Sequence, residues 1–420
     1  MYLVERHIID FGHSLHGEVD RLCFLSKNLY NKANYIVRQE FIGTSKEKEK
    51  GLVDHANWIR YHELRKQLIS DENYVALPRK VSNHILMQLD KNWVSFFASI
   101  RDWKKCPDKY TGRPKLPRYK HKTKGRFGLD YELGAIYKTD LKKGNLRLSG
   151  TNVSVPFKNI GHKLIGARIS VLNGIYKIEI IYEKKEVEQK EDNKKYMGVD
   201  PGVNNLMALT SNEKTFKPII VNGRPIKAIN QYYNKMLSKY QSELPKGVYT
   251  SKRMKRLANK RHNKIEHYFN QASNYIVKTC VYKQINTIVI GHNKEQKQEI
   301  NIGKENNQKF VFIPFDLLFK QIKYKAKLSG ISSVDNEESY TSKASFLNLD
   351  EIPIYGQENE NKHKFSGYRK HRGLYKIKGQ KLYINADVNG SYNILRKAFP
   401  DAFADGIEGL AVVPAKVTFC

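Results

Sequence analysis

The chain opens on apolar residues broken by charges, Tyr2-Leu3-Val4 and Ile8-Ile9, a pattern that reads as one strand. The pattern then turns helical. Leu22, Leu25, Leu29, Ala33, Ile36 and Val37 recur at helical spacing, and Val81, Ile85, Leu89, Trp93, Phe96, Phe97 and Ile100 mark one face of a second long helix. Residues 12–103 are therefore expected to be mostly helical, with polar loops near 43–51 and 70–73. From about 127 to 183 the period changes to two: Leu146 and Leu148, then Val153, Val155 and Phe157, then Ile169 and Val171. Asn173-Gly174 separates that last run from Tyr176, Ile178, Ile180 and Tyr182, a strong hairpin signal. A small antiparallel sheet or barrel is predicted, with the N-terminal strand completing it.

The polar run 184–195 reads as a linker. Beyond it, Tyr196–Asp200, Leu206–Thr210 and Lys217–Asn222 are short strands. A long helical section follows, its buried face marked by Met254, Leu257, Ile265, Tyr268, Ala272 and Ile276. Thr287–Gly291 reads as a buried strand, Pro314 opens a helix that Gly330 can end, residues 331–340 form another strand, and a last helix starts near Ala386. Three early strands followed by mixed helix and strand predict an α+β chain whose second half is an RNase H-like sheet.

Composition narrows the partners. The 420 residues allow two to four domains. Lys and Arg number 74 against 42 Asp and Glu, a net charge of +32, and self-repulsion on that scale calls for a polyanion. No apolar run approaches the roughly 20 residues that span a bilayer, so no membrane association is expected. The charged N-terminus does not resemble a signal peptide, and four scattered cysteines without a CxxC fit a reducing compartment. A cytoplasmic, nucleoid-associated nucleic-acid protein is expected. Arg101–Arg126 holds eleven Lys or Arg and two Asp, interleaved with Tyr110, Tyr119 and three prolines that forbid a continuous helix. It reads as an extended arm in which Arg113, Lys115, Arg118, Tyr119 and Lys120 meet phosphates and bases. Lys252, Arg253, Arg256, Lys260 and Arg261 form a second cationic face, with no acid between 252 and 264.

In so basic a chain, acids at strand ends call for a reason. Asp200 closes the run Tyr196–Val199 before Pro201-Gly202, Asp387 lies in the first turn of the last helix, and Glu337 and Glu338 lie near the end of the 331–340 strand. Carboxylates brought together from separate elements are what two magnesium ions need to hold a scissile phosphate. Each acid also has a structural alternative: Asp387 as a residue favoured at a helix start, Asp200 as a turn residue.

The surrounding motifs carry more. MGVDPGVNNLMALTS around Asp200, SYTSKASF from Ser339 and INADVNGSYNILRK around Asp387 resemble the TnpB family. These are RNA-guided nucleases of insertion sequences, related to type V CRISPR effectors and Fanzor proteins. KNLYNKANYIVRQEF from Lys27, GRPKLPRYK from Gly112, NIGKENNQKF from Asn301 and FSGYRKHRGLY from Phe365 extend the resemblance over most of the chain. It implies two magnesium ions held by Asp200, Glu338 and Asp387. The family's usual second acid closes the strand that here ends in Gly291, and some members instead carry a Glu just before the TS motif, where Glu338 stands. Glu337 is the runner-up, since strand neighbours point to opposite faces. Many members also carry a four-cysteine zinc ribbon. Here Ser345 and Asn348 replace its first pair, no Cys lies between 281 and 419, and His363 with His371 cannot complete a site, so no zinc is expected.

The resemblance implies a β-barrel (wedge) domain from 1–11 and 104–190, with a helical recognition domain (12–103) inserted. A RuvC-like nuclease domain over 195–400 follows, with a helical insertion at about 225–280 and a cysteine-free insert at about 342–384, and 401–420 is expected to be a peripheral tail. The implied activity is magnesium-dependent, RNA-guided DNA cleavage, with a guide RNA and a double-stranded DNA target as partners. Asn31, Asn34, Lys80 and Asn83 are candidates for reading the motif beside the target. Two alternatives share the same ancestry: a guided repressor that binds without cutting, and a transposase that uses the same acids for strand transfer.

Overall fold

The computed structural model describes residues 1–52, 56–292, 313–354, 364–371 and 373–419. The Asn301 motif and His363 lie outside them. The chain divides into two compact units, Met1–Lys185 and Glu186–Cys420.

In the first unit, β1 (Tyr2–Ile9), β2 (Leu129–Glu132), β5 (Lys163–Leu172) and β6 (Ile175–Glu183) form an antiparallel sheet in the order β1-β6-β5-β2. The N-terminal strand joins as expected, pairing from Tyr2 with Glu183 to Ile9 with Tyr176. Asn173 and Gly174 both take positive φ, 50° and 84°, as the two-residue turn between β5 and β6 requires. A separate hairpin, β3 (Asn145–Arg147) with β4 (Ser154–Pro156), sends Leu146, Val155 and the following Phe157 into the same core.

The long helices α1 (His16–Glu49) and α3 (Arg79–Lys105) and the shorter α2 (Tyr61–Leu68) pack on that core, joined by Tyr74 from the single turn Glu72–Val75. The helix α1 overruns the loop expected near 43–51. Thr44 and Ser45 bond back to the carbonyls of Glu40 and Phe41, so their hydroxyls do not compete with the helix, and Lys46 and Lys48 favour its C-terminal dipole. Trp93 on α3 is buried and meets Phe41 and Trp58 edge-on.

The basic arm starts in α3, which runs to Lys105, and only then becomes extended. Its course is set by amides on α1. Asn31 donates to the carbonyl of Lys120 and accepts from its N–H, both at 2.8 Å. Asn34, wholly buried, donates to the Pro117 carbonyl at 3.0 Å and accepts from Trp93 Nε1 at 3.1 Å. Both were expected to read bases, and both are instead spent on the arm. Asn83 likewise accepts from Arg65 and from the Tyr74 hydroxyl. Lys80 is exposed, with its ammonium beside Gly134.

The second unit is built on a six-stranded sheet. Three antiparallel strands, β7 (Tyr196–Pro201), β8 (Asn205–Ser211) and β9 (Ile219–Asn222), are followed by β10 (Thr287–Gly291) and β11 (Ser332–Asn336), which run parallel to β7. The order β11-β10-β7-β8-β9 is the expected RNase H-like one. Alternation divides each strand between two cores. Met207, Leu209, Ile288 and Ile290 face α5 (Lys252–Tyr282) and α6 (Phe315–Leu328). Ala208, Ile220 and Val289 fall in the clusters formed with α7 (Ala386–Ala398). Before α5 lies α4 (Arg224–Ser242), and β12 (Gly367–His371), β13 (Leu374–Ile377) and β14 (Tyr383–Asn385) form a small antiparallel sheet before α7.

The tail is not peripheral. Its β15 (Ala415–Val417) adds a sixth strand parallel to β9, and Phe419 packs on Tyr268 and Tyr275. Three residues carry no readable period, which is why the sequence pattern misses them. No helix among the described residues is long and apolar enough to cross a membrane.

Asn34→Ala should leave the buried Trp93 N–H without its acceptor and the Pro117 carbonyl to Arg38 alone. A loss of about 1–3 kcal/mol is expected in urea unfolding of the first unit, and a change within about 0.5 kcal/mol would show that the amide is not what holds the arm.

Candidate active site

The end of β7 sets the first acid. Its four buried residues bring Asp200 to the carboxyl end of the central strand, where Pro201 and Gly202 turn the chain. There α7 comes close to the strand. A Cβ at Gly198 would lie 2.5 Å from the Ser391 carbonyl, and one at Gly390 would lie 2.7 Å from Asp200 Oδ2. The two glycines clear the space in which the Asp200 carboxylate meets the helix.

Asp387 is set by a cap. Asn385 Oδ1 accepts from the N–H groups of Asp387 and Val388 at 3.0 and 3.2 Å, starting α7 and fixing the acid in its first turn. Both oxygens of Asp387 are engaged. Arg369 Nη2 on β12 donates to one at 2.5 Å, and Asn205 Nδ2 on β8 donates to the other at 2.6 Å.

The strand β11 stops at Asn336, short of the expected 340, so Glu337 and Glu338 lie in the turn beyond it. They part there. Glu337 turns to Lys397 and accepts from the Ser339 N–H. Burial alone would raise its carboxyl, but those bonds outweigh it and hold it below its ordinary value. Glu338 lines the cavity with Asp200 and Asp387. Its Oε2 lies 3.1 Å from where a Cβ at Gly291 would stand, so the carboxylate occupies the space over the bare end of β10. The turn itself is pinned from α7: Asn393 donates to the carbonyls of Thr341 and Ala344, and Asn389 donates to Ala344 and accepts from the Phe346 N–H.

The cavity measures about 660 Å³ and is lined by the three acids, Asn205, Ser339–Ser342 and two arginines, Arg224 and Arg369. Asp200 bears its strain. Burial first, then the charges of Glu338 and Asp387, push its carboxyl well above the ordinary 3.8, with Arg369 opposing. Hard carboxylate oxygens crowded against their own repulsion are the donor set a divalent cation such as magnesium takes. In this arrangement no three His, Cys, Asp or Glu side chains among the described residues are close enough to share one ion, since Asp387 is drawn to Arg369 and Asn205. The donors fit the ion in kind. Arg369, Asn205, Asn389 and Asn393 escaped the sequence reading. All four lie inside motifs already quoted, Asn205 in MGVDPGVNNLMALTS, Arg369 in FSGYRKHRGLY, and Asn389 and Asn393 in INADVNGSYNILRK, which pointed to their segments without singling them out.

Two family models match the chain. One, of probable transposases (OrfB_IS605), covers residues 179–297, and the other, the Cas12f1-like TNB domain, covers 315–394. A TnpB-like protein, ORF457 of Acidianus two-tailed virus, is 24% identical over 417 residues, spanning 90% of this chain and 82% of its own. These matches ally the chain with TnpB-like proteins. The fold agrees: a Cas12f1 chain solved by cryo-EM with its sgRNA and target DNA superposes with a TM-score of 0.50 at 14% identity, over 89% of this chain and 82% of that one. The turn bearing Ser345 and Asn348 is closed by a carboxylate. Asp350 Oδ2 accepts from the N–H groups of Ser345 and Ser366 at 2.8 and 2.9 Å, over a core of Phe346, Tyr375, Ile384 and Tyr392.

The raised Asp200 carboxyl has a stability consequence. Folding disfavours its ionisation, so the wild type loses stability as pH rises from about 3.8 through the raised native value. Without metal, Asp200→Asn should therefore have a higher Tm than the wild type at pH 8, the gap closing as pH falls toward 4. A variant that melts below the wild type at pH 8 would show that the carboxylate is not destabilising.

Proposed function

We propose that this chain is an RNA-guided DNA endonuclease of the TnpB type, cutting guide-matched DNA beside a short motif by phosphodiester hydrolysis with two magnesium ions. The observation that carries the reading is the cavity in which Asp200, Glu338 and Asp387 face one another beside Arg224 and Arg369, in a chain of net charge +32. The Cas12f1 relative, solved with guide and target, supports RNA and double-stranded DNA as partners. In this reading 1–11 with 104–190 is the wedge, 12–103 the recognition domain and 195–400 the nuclease.

The three carboxylates would hold the ions, which supply an activated water and a charge for the leaving oxygen. The chain's own residues do the rest. With Asp387 turned to an ion, the Arg369 guanidinium would be free to meet a phosphate oxygen, and Arg224 lines the same cavity. The Ser339–Ser342 turn, held by Asn389 and Asn393, fixes Glu338 over Gly291 so that the acid arrives in place. Outside the cavity, Arg113, Lys115 and Arg118 project from the arm into solvent, while Lys120 is tied by its backbone and Tyr119 lies under Arg38. The exposed three suit an RNA backbone. Lys252, Arg253 and Arg256 on α5 are exposed in the same way and suit a nucleic-acid backbone.

The decisive assay is plasmid cutting with magnesium, protein purified with a reprogrammed guide, and a randomised region beside the target. Asp200→Ala, Glu338→Ala and Asp387→Ala should each lower guide-dependent cutting at least about 100-fold and leave target binding intact, since outer partners of metal ligands alone reach that scale. Cutting that survives Glu338→Ala would remove this residue from the site. Binding of the matched target without cutting would establish the repressor, and joined donor–target DNA the transposase.

The arm makes a separate prediction. Replacing Arg113, Lys115 and Arg118 with Gln should make the salt dependence of RNA binding shallower by about two units of log–log slope, at about 0.7 per lost contact. An unchanged slope would return the arm to a linker.

A further inference from the structure

Apart from the acidic cavity, and sharing no lining residue with it, the second unit has a notch of about 290 Å³ between α4 and α5. Its floor is apolar, with Ile229 and Leu257, and its walls are Tyr232 and Tyr233 on α4 and Lys260, Arg261 and Lys264 on α5. Tyr232 is 56% exposed, an aromatic ring at the mouth of an apolar hollow. Arg261 is built in: its Nε donates to Asn230 Oδ1 at 2.7 Å and its guanidinium lies 5.1 Å from the centre of the Tyr233 ring. Lys260 and Lys264 are exposed and one turn apart, on one face of α5.

We propose that this notch takes one unpaired nucleotide of a nucleic-acid strand, the base lying against Tyr232 and its phosphate held between Lys260 and Lys264. The chemistry decides the ligand class. A free aromatic face and a fixed planar guanidinium offer two surfaces on which a flat base stacks, and the ammonium groups suit its phosphate. A volume at the small end of ligand sites, which run from about 300 Å³, admits a single base and excludes a duplex. Burial pushes the Arg261 guanidinium down from its ordinary value, so an anion in the notch relieves a cost already present. The source is a strand and not a free nucleotide because the cations continue along the helix: Lys252, Lys255 and Arg256 precede them without an intervening acid, a track for the neighbouring phosphates. The proposal rests on the reading of the chain as a nucleic-acid protein and is independent of whether it cuts.

The test uses the full chain and single-stranded oligonucleotides carrying one 2-aminopurine among abasic positions. The wild type should quench the 2-aminopurine on binding. Tyr232→Ala should abolish the quench and bind about 5- to 100-fold more weakly, Tyr232→Phe should keep both, and a fully abasic strand should bind wild type and Tyr232→Ala alike. Quenching and affinity unchanged in Tyr232→Ala would overturn the proposal. So would displacement of the strand by AMP binding as tightly as the strand itself, which would make this a free-nucleotide site. Should Tyr232→Ala lower the Tm, Lys260→Gln with Lys264→Gln decides: the salt slope should fall by between one and two units, and an unchanged slope overturns the proposal. Guided cutting is scored in parallel. Cutting without quenching would defeat the notch alone, and quenching without cutting the nuclease reading alone.

Discussion

Everything at the carboxyl end of β7 is arranged around one electrostatic difficulty: three carboxylates, Asp200, Glu338 and Asp387, line one cavity. Burial first, and then like charges at close range, penalise the ionised form, and the Asp200 carboxyl registers the cost in its raised pKa. The neighbouring structure contains that cost. Gly390 leaves room for Asp200 against α7, Arg369 and Asn205 occupy Asp387, and Asn389 and Asn393 hold the turn that carries Glu338. The site is thus over-determined from β8, β12 and α7 at once, as a strained functional centre must be to persist.

Gly291 and Glu338 share one volume at the end of β10. The end of β10 has no side chain, and the vacant volume above it is bounded by Ile394 and the Glu338 carboxylate. A larger residue at 291 would displace one or the other. Glycine at this position and glutamate in the turn are therefore one feature, two residues that fit only together.

Periodicity and geometry explain which parts of this fold were legible in the sequence. Long runs such as Val81–Ile100, and the alternation of Tyr176 to Tyr182 after Asn-Gly, state their element and buried face locally. The three acids were legible because charge at a strand end in a basic chain is conspicuous, and the TnpB-like motifs reinforced them. Amide side chains were not. Asn31 and Asn34 look like exposed readers of bases until the segment 117–120 is seen across from them, more than eighty residues away in the chain. Arg369 was hidden for the same reason: one arginine in a run of cations is defined only by Asp387 opposite. The three-residue β15 was too short to show a period, and the strand drawn to 340 ended early because a turn with Tyr340 at a φ of 64° supervenes.

The separation in sequence of the acids has a consequence for the biology of a nuclease as it is made. Asp200 and Asp387 are far apart along the chain, and at about 5–20 residues per second a ribosome delivers the second roughly ten to forty seconds after the first. During that interval the nascent polypeptide already displays its basic arm, yet it lacks Asp387, the last of the three carboxylates that line the cavity. On the proposed reading, late arrival of α7 is a safety interval, because a chain still lacking Asp387 has an incomplete site whatever it has bound.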